Sequence, residues 1–214
     1  VKLYFMNGLP TETYEDIEGI AALAKKVDHE FYTVPGRVKG KAPMITISVS
    51  CFVPKPFTAF QWEGQDTLEE LVDKQNHLRD CVRGEKHIRY NWHEAKVSRI
   101  EAVFARGDRK LSRALLEAHR MGLKFDGWDE FFDYDKWLEA FRLAGVDPAF
   151  YANRDFGLDE VLPWDVIDCG VTKEFFRRER EKAYCSKTTP NCREHCSGCG
   201  ANRLGGERTC CPHQ

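Results

Sequence analysis

The ten residues Met44–Val53, MITISVSCFV, decide the fold class. β-branched and apolar residues alternate with small hydroxyl residues at a period of two, which predicts a strand with two unlike faces. Ile45, Ile47, Val49 and Cys51 form an apolar row suited to packing under helices. Thr46, Ser48 and Ser50 form a small polar row, followed by Phe52, suited to lining a cavity. The competing reading of the same alternation is a half-exposed antiparallel strand.

Upstream, Val1–Met6 reads as a short buried strand. Thr13 then reads as a helix N-cap, with Glu15 and Asp16 in the first turn. Ile17, Ile20, Ala24 and Val27 recur at helical spacing, and residues 33–43, rich in Pro, Gly and Lys, read as a loop. Strand, helix and strand in that order predict a parallel pair joined by a crossover helix. Downstream come the loop PKPFTAFQW and a helix over 67–83 striped by Leu68, Leu71, Val72, Gln75 and Leu78. A third strand is expected at 87–93, then helices near 98–105, 109–121, 134–144 and 172–184. Gly107-Asp108, Gly122, Asp126-Gly127 and Gly145 mark the breaks between them. Trp128, Phe131, Phe132, Trp137 and Phe141 are expected in a helical core, and Leu204–Gln214 reads as a loose polar end.

The 214 residues carry 32 Lys and Arg against 34 Asp and Glu, so no global field favours nucleic acid or a membrane surface. No apolar run approaches the ~18 residues that span a bilayer, and no signal peptide opens the chain. Val1 already lies within a strand pattern, from which we expect a piece of a longer protein. Of nine cysteines, Cys51, Cys81 and Cys169 are scattered, whereas Cys185, Cys192, Cys196, Cys199, Cys210 and Cys211 crowd the end. Clustering of this kind, with an odd total, favours metal ligation in a reducing cytoplasm over disulfide staples.

The corner Asn7-Gly8-Leu9-Pro10 joins the first strand to the helix behind Thr13. Gly8 admits close backbone approach and Pro10 stiffens the exit. In parallel α/β folds, ligands sit at the carboxyl ends of strands, here Asn7-Gly8 and Ser50–Phe52. Gly-Leu-Pro is equally an ordinary strand-to-helix turn. YFMNGLPTETYEDIEGI resembles the fifth-strand segment of radical S-adenosylmethionine (SAM) enzymes, and MITISVSCFVPKPFTAFQW resembles their sixth strand and exit loop. NWHEAKVSRIEAVFARGDRKL, LPWDVIDCGVTKEFF and NCREHCSGCG narrow the likeness to an uncharacterised radical SAM family. That family commonly carries a cobalamin-binding-like domain ahead of its barrel.

The resemblance implies an α/β fold: a partial (β/α) barrel of radical SAM type in residues 1–93, a mainly helical extension in 94–184 and a Cys-rich tail in 185–214. It places Met6, Asn7, Gly8 and Pro10, with Ser50, Phe52 and Val53, around SAM, largely at its adenine. Asn7 stands where an apolar residue is more usual, and Thr11 where Gly is frequent. The polar row of Thr46, Ser48 and Ser50 would face the lumen where substrate and SAM meet. A full-length protein would use a reductant, a [4Fe–4S] cluster and SAM to generate a 5′-deoxyadenosyl radical that abstracts hydrogen from an unknown substrate. The cluster-binding Cys triplet is expected upstream of Val1, so this chain alone is expected to be inactive. Cobalamin dependence of the longer protein is left open.

Cys192, Cys196 and Cys199 have C-x3-C-x2-C spacing, which lets thiolates converge on one ion or cluster. Cys185 is a candidate fourth ligand, with Cys210, Cys211, His195 and His213 as alternatives. Zinc and a second iron–sulfur cluster both suit such a set. The alternative function is therefore a helical metal-binding module that docks a protein or RNA. Arg106-Gly107-Asp108 matches a cell-adhesion tripeptide but falls at a helix break; His93, Asp165 and Asp168 are more simply structural. Arg177, Arg178, Arg180 and Lys182 alternate with Glu174, Glu179 and Glu181, which makes a solvated face rather than a nucleic-acid patch.

Overall fold

The computed structural model describes residues 1–37 and 40–205. Three strands form one sheet: β1 (Lys2–Asn7), β2 (Ile45–Cys51) and β3 (Ile88–Trp92). They lie in the order β1-β2-β3 and all pairs are parallel. The antiparallel reading of β2 is thereby overturned. Helices α1 (Tyr14–Thr33) and α2 (Leu68–Cys81) form the crossovers. Both start with a capping box. Thr13 accepts from the Asp16 amide while its own amide donates to Asp16, and Thr67 and Glu70 repeat the exchange.

Both crossover helices cover the same side of the sheet. Ile17, Ile20 and Ala24 of α1 and Leu78 of α2 pack on Ile45, Ile47 and Val49. The register puts Lys2, Thr46 and Arg89 in one layer and Tyr4, Ser48 and Asn91 in the next, all on the opposite face. That face is polar and at least partly exposed along its length.

The remaining described helices are α3 (Ala95–Ala105), α4 (Leu111–Arg120), α5 (Tyr134–Ala144), α6 (Pro148–Ala152) and α7 (Lys173–Tyr184), with a 3-10 turn at Ala201–Gly205. Their second core gathers Ile100, Val103, Leu111, Trp137, Phe141 and Tyr151. The expected helical core is correct for Trp137 and Phe141, and Phe132 packs half-buried against it. Trp128 and Phe131 are 64% and 52% exposed, because Phe125–Phe132 folds into successive turns rather than helix. Val72 also points outward from α2. Helix α6 is one short turn with Pro148 at its start and Asp147 as cap, too short for periodicity to reveal. The last expected loose residues, 206–214, lie outside the described residues.

The division at 93/94 is bridged by Gln61–Gln65, a buried polar stretch after β2. Gln65 donates to the Phe52 and Ser98 carbonyls, at 2.9 and 3.3 Å. Trp164 donates to Gln61 at 2.7 Å. Glu63 accepts from Arg180 and from Tyr184, the latter at 2.8 Å. One short segment thus touches the strand ends, α3 and α7.

Two buried phenols give the fold an alkaline limit. Burial pushes the Tyr151 hydroxyl, which donates to Asp108, up to about 12, and burial also raises Tyr90. The folded state therefore keeps these protons after unfolded chains begin to lose theirs near pH ~10. Stability is full below that pH and falls as pH rises towards 12. Urea midpoints measured from pH 8 upward should decline over this window, and Tyr151→Phe should flatten the decline. An identical slope in the variant would remove Tyr151 from the account.

Candidate functional site

The site lies at the carboxyl ends of the parallel strands. The Phe52 amide donates to the Asn7 carbonyl at 2.7 Å, and the His93 amide to the Val49 carbonyl at 2.9 Å, so the ladder continues one residue beyond the strands. Above it is a cavity of about 520 Å³ walled by Met6, Leu9, Phe52, Val53 and Phe60, with Ser50, Thr58, His93 and Ser98 as polar groups. Lys55 and Glu101 form an ion pair at its lining. An apolar wall with few convergent polar groups at strand ends is the usual composition of a small-molecule site.

Four of the expected residues, Met6, Ser50, Phe52 and Val53, line this cavity together. Pro10 lines a separate, shallower hollow with Phe5 and Leu9. Asn7 shares the helix-side row of Leu3 and Phe5, opposite Cys51, so its side chain turns away from Met6 and Ser50. It is 2% exposed, and neither its amide oxygen nor its nitrogen has a partner among the described residues. The chain thus holds a desolvated polar group where the resembled family prefers an apolar one. Only the Asn7 backbone serves the rim.

The corner itself is braced from within. Glu12 turns back to accept from the Gly8 amide at 2.7 Å. Lys74 of α2 reaches both Glu12, at 3.1 Å, and Asp66, at 2.7 Å. Burial would lower this ammonium, but its hydrogen bonds to Asp66 and Glu12 hold it above the ordinary lysine value. Gly8 has φ +79° and a Cβ there would come within 2.8 Å of Leu71, so both conformation and space require glycine. Thr11 has φ +68°, a left-handed conformation, which is why glycine suits that position.

Lys55, Phe60, Ser98 and Glu101 reach the cavity although nothing in the sequence alone selects them. Phe60 and Lys55 fall in the Pro-punctuated loop after β2, whose aromatics were the available signal. Glu101 and Ser98 are one helical turn apart on α3, and only the fold brings that helix to the rim. Cys51 is buried, with burial raising its thiol and Gln75 donating to it at 3.3 Å. It behaves as a packed thiol, not as a cluster ligand.

The tail cysteines are divided. The Thr172 amide, at the start of α7, donates to the Cys199 carbonyl at 2.9 Å, whereas Cys185 caps the other end of the helix. A helix of 12 residues separates them by roughly 18 Å, so Cys185 does not join Cys199 around one ion. Around Cys199 the chain makes a tight double turn, with Gly198 at φ +67° and Gly200 at φ +97°. The Ala201 amide donates to Cys199 Sγ at 3.5 Å. Among the described residues, no three His, Cys, Asp or Glu side chains are gathered to hold a metal ion. The alternative ligands Cys210, Cys211 and His213 lie outside the described residues. No helix among the described residues is long and apolar enough to cross a membrane.

Among curated proteins, an uncharacterised protein of Methanocaldococcus jannaschii is 36% identical to this chain over 115 residues. The match covers 54% of the chain and 23% of that protein, so the chain spans less than a quarter of the relative's length. No family model and no solved structure matches.

Proposed function

We propose that the chain is the C-terminal half of a radical SAM barrel and that the cavity at its strand ends receives the adenosyl part of SAM. The observation that carries this reading is the meeting of Met6, Ser50, Phe52 and Val53 in one cavity at the carboxyl ends of neighbouring parallel strands. Sequential strand order with both crossover helices on one side, and a polar opposite face, supports a barrel wall rather than a doubly wound sheet. The residues fit the group: an apolar wall for a purine ring, and hydroxyls and an imidazole within the same lining for its polar edges. When bound, SAM and a [4Fe–4S] cluster supply the radical chemistry. This chain's part is to seat the adenine against Phe52 and Val53, exclude water with Leu9 and Phe60, and offer Thr46 and Ser48 to a substrate below.

The test is SAM binding, by calorimetry under anaerobic conditions, to a protein extended through upstream strands. Val53→Asp should weaken binding by at least about tenfold, because it places a charge against an apolar ligand face. Absence of SAM binding, or indifference to Val53→Asp, would sink the reading. A second reading, a thiolate metal module, is favoured by the Ala201 amide on Cys199 Sγ. Stoichiometric zinc or iron that is lost in Cys199→Ser, in a protein with no SAM affinity, would establish it instead.

A further inference from the structure

A second cavity, of about 880 Å³, lies on the far side of the start of α3 from the rim cavity. Glu94 and Lys96 form one wall and the segment from Gly122 to Lys136 the other. Two of its aromatic rings, Phe125 and Phe131, are held outward. Phe125 is 69% exposed and meets Phe131 with ring centroids 5.9 Å apart. Trp128, in the same run of turns, is exposed as well, and Lys96 lies over the Tyr134 ring at 5.3 Å. Apolar rings left in water are unfavourable unless something covers them.

The backbone is strained to keep them there. Phe125 has φ +62°, a left-handed conformation that costs a bulky residue free energy and that glycine adopts freely. The turn is anchored from below, where the buried Trp137 donates its indole N–H to Asp126 at 3.2 Å. A residue needed only for packing would not point into solvent from a strained position. Charge gives the ligand class. Lys96, Lys124 and Lys136 in the lining are set against Glu94, Glu130, Asp133 and Asp135, so neither an anion nor a cation is strongly selected.

We propose that this cavity binds a planar, uncharged heteroaromatic group of nucleobase or indole size, stacked on Phe125 and Phe131. Polar side chains at its edge, Glu94 and Glu130 among them, would accept hydrogen bonds from ring N–H groups. The assignment does not rest on the SAM reading: it concerns a different cavity, and it is tested on this chain without SAM.

Guanosine and indole are the probes, titrated to millimolar concentration and followed by ¹H–¹⁵N NMR. Amides of residues 125–132 and the Trp128 indole N–H should shift together and saturably. Phe125→Gly should weaken the titrating probe by roughly 5- to 150-fold, the range of one lost stacking contact. The same change should raise Tm, because it relieves the left-handed φ. Phe131→Ala, which leaves the Phe125 turn unchanged, should weaken binding without that gain. No saturable shift with either probe would overturn the proposal, as would shifts confined to Ser50–Phe60. A fall in Tm for Phe125→Gly would make the ring a packing group and overturn it too.

Discussion

Arg106→Ala should lower unfolding free energy by about 4 kcal/mol, among the largest losses a single substitution can cause here. Arg106 is 0% exposed. Its guanidinium donates to the carbonyls of Tyr151 and Ala152, at 2.6 and 2.9 Å, and to that of Arg154. It also lies 4.2 Å over the Phe156 ring. These carbonyls end helix α6, where the partial negative charge of a helix terminus accumulates. Among the described residues, no carboxylate bonds it directly. Burial, with Arg154 nearby, pushes its pKa down to about 10, so the group is charged at neutral pH at a cost that the carbonyls offset. Truncation removes the donors, leaves buried acceptors unmet and opens a cavity. Arg106→Lys should recover part of the loss, since an ammonium cannot span the three acceptors in one plane. Urea unfolding measures both; a loss below about 1 kcal/mol for Arg106→Ala would refute this view of the contact. The same burial removes the Arg-Gly-Asp tripeptide from consideration as an adhesion loop, because Asp108 is also engaged, by Tyr151 and the Lys110 amide.

Gly64→Ala should cost about 3 kcal/mol or more, for a different reason. Gly64 has no left-handed φ; its constraint is space. A Cβ there would sit 2.1 Å from the Asn153 carbonyl oxygen and 2.7 Å from its carbon. Backbone faces backbone, so no side-chain rotation relieves the overlap. The Gly64 amide also donates to Asp155 at 2.7 Å, and Asn153 donates to the Gln65 and Asp66 carbonyls, at 2.9 and 3.0 Å. The two segments are pinned at the point of closest approach. Gly19→Ala provides the contrast: it lies within α1 with nothing within 4 Å of a Cβ, and should gain roughly 0.5–1 kcal/mol. Thermal unfolding that ranks Gly64→Ala level with Gly19→Ala would contradict the geometry.

What the sequence made legible was local. The alternation of Met44–Val53, the Thr13 cap and the stripe of Leu71, Gln75 and Leu78 are short-range patterns, and each corresponds to an element found. Periodicity says which face is apolar, and parallel pairing follows from the order of elements. Ser50 and Phe52 of the candidate site were readable on the same basis, since strand ends are where parallel sheets place ligands. The remainder was not. The burial of Gln61, Glu63 and Arg106 has no local signal, because it is decided by partners 45 to 121 positions away in the chain. Phe131 reads as core because apolar composition does not say whether a segment is helix or a run of turns. Asn7 shows the reverse: its departure from the resembled pattern was visible, but its turning away from the cavity required the register.

The buried polar stretch after β2 has a consequence for how the molecule comes apart. Melting α3 or α6 would strip buried Gln65 of the Ser98 or Ala152 carbonyl, melting α7 would strip Glu63 of Arg180 and Tyr184, and melting the strand ends would do the same from the other side. Partial opening along the 93/94 seam is therefore penalised from both directions. Heating should yield a single calorimetric peak spanning sheet and helices alike, and limited digestion should release no surviving half.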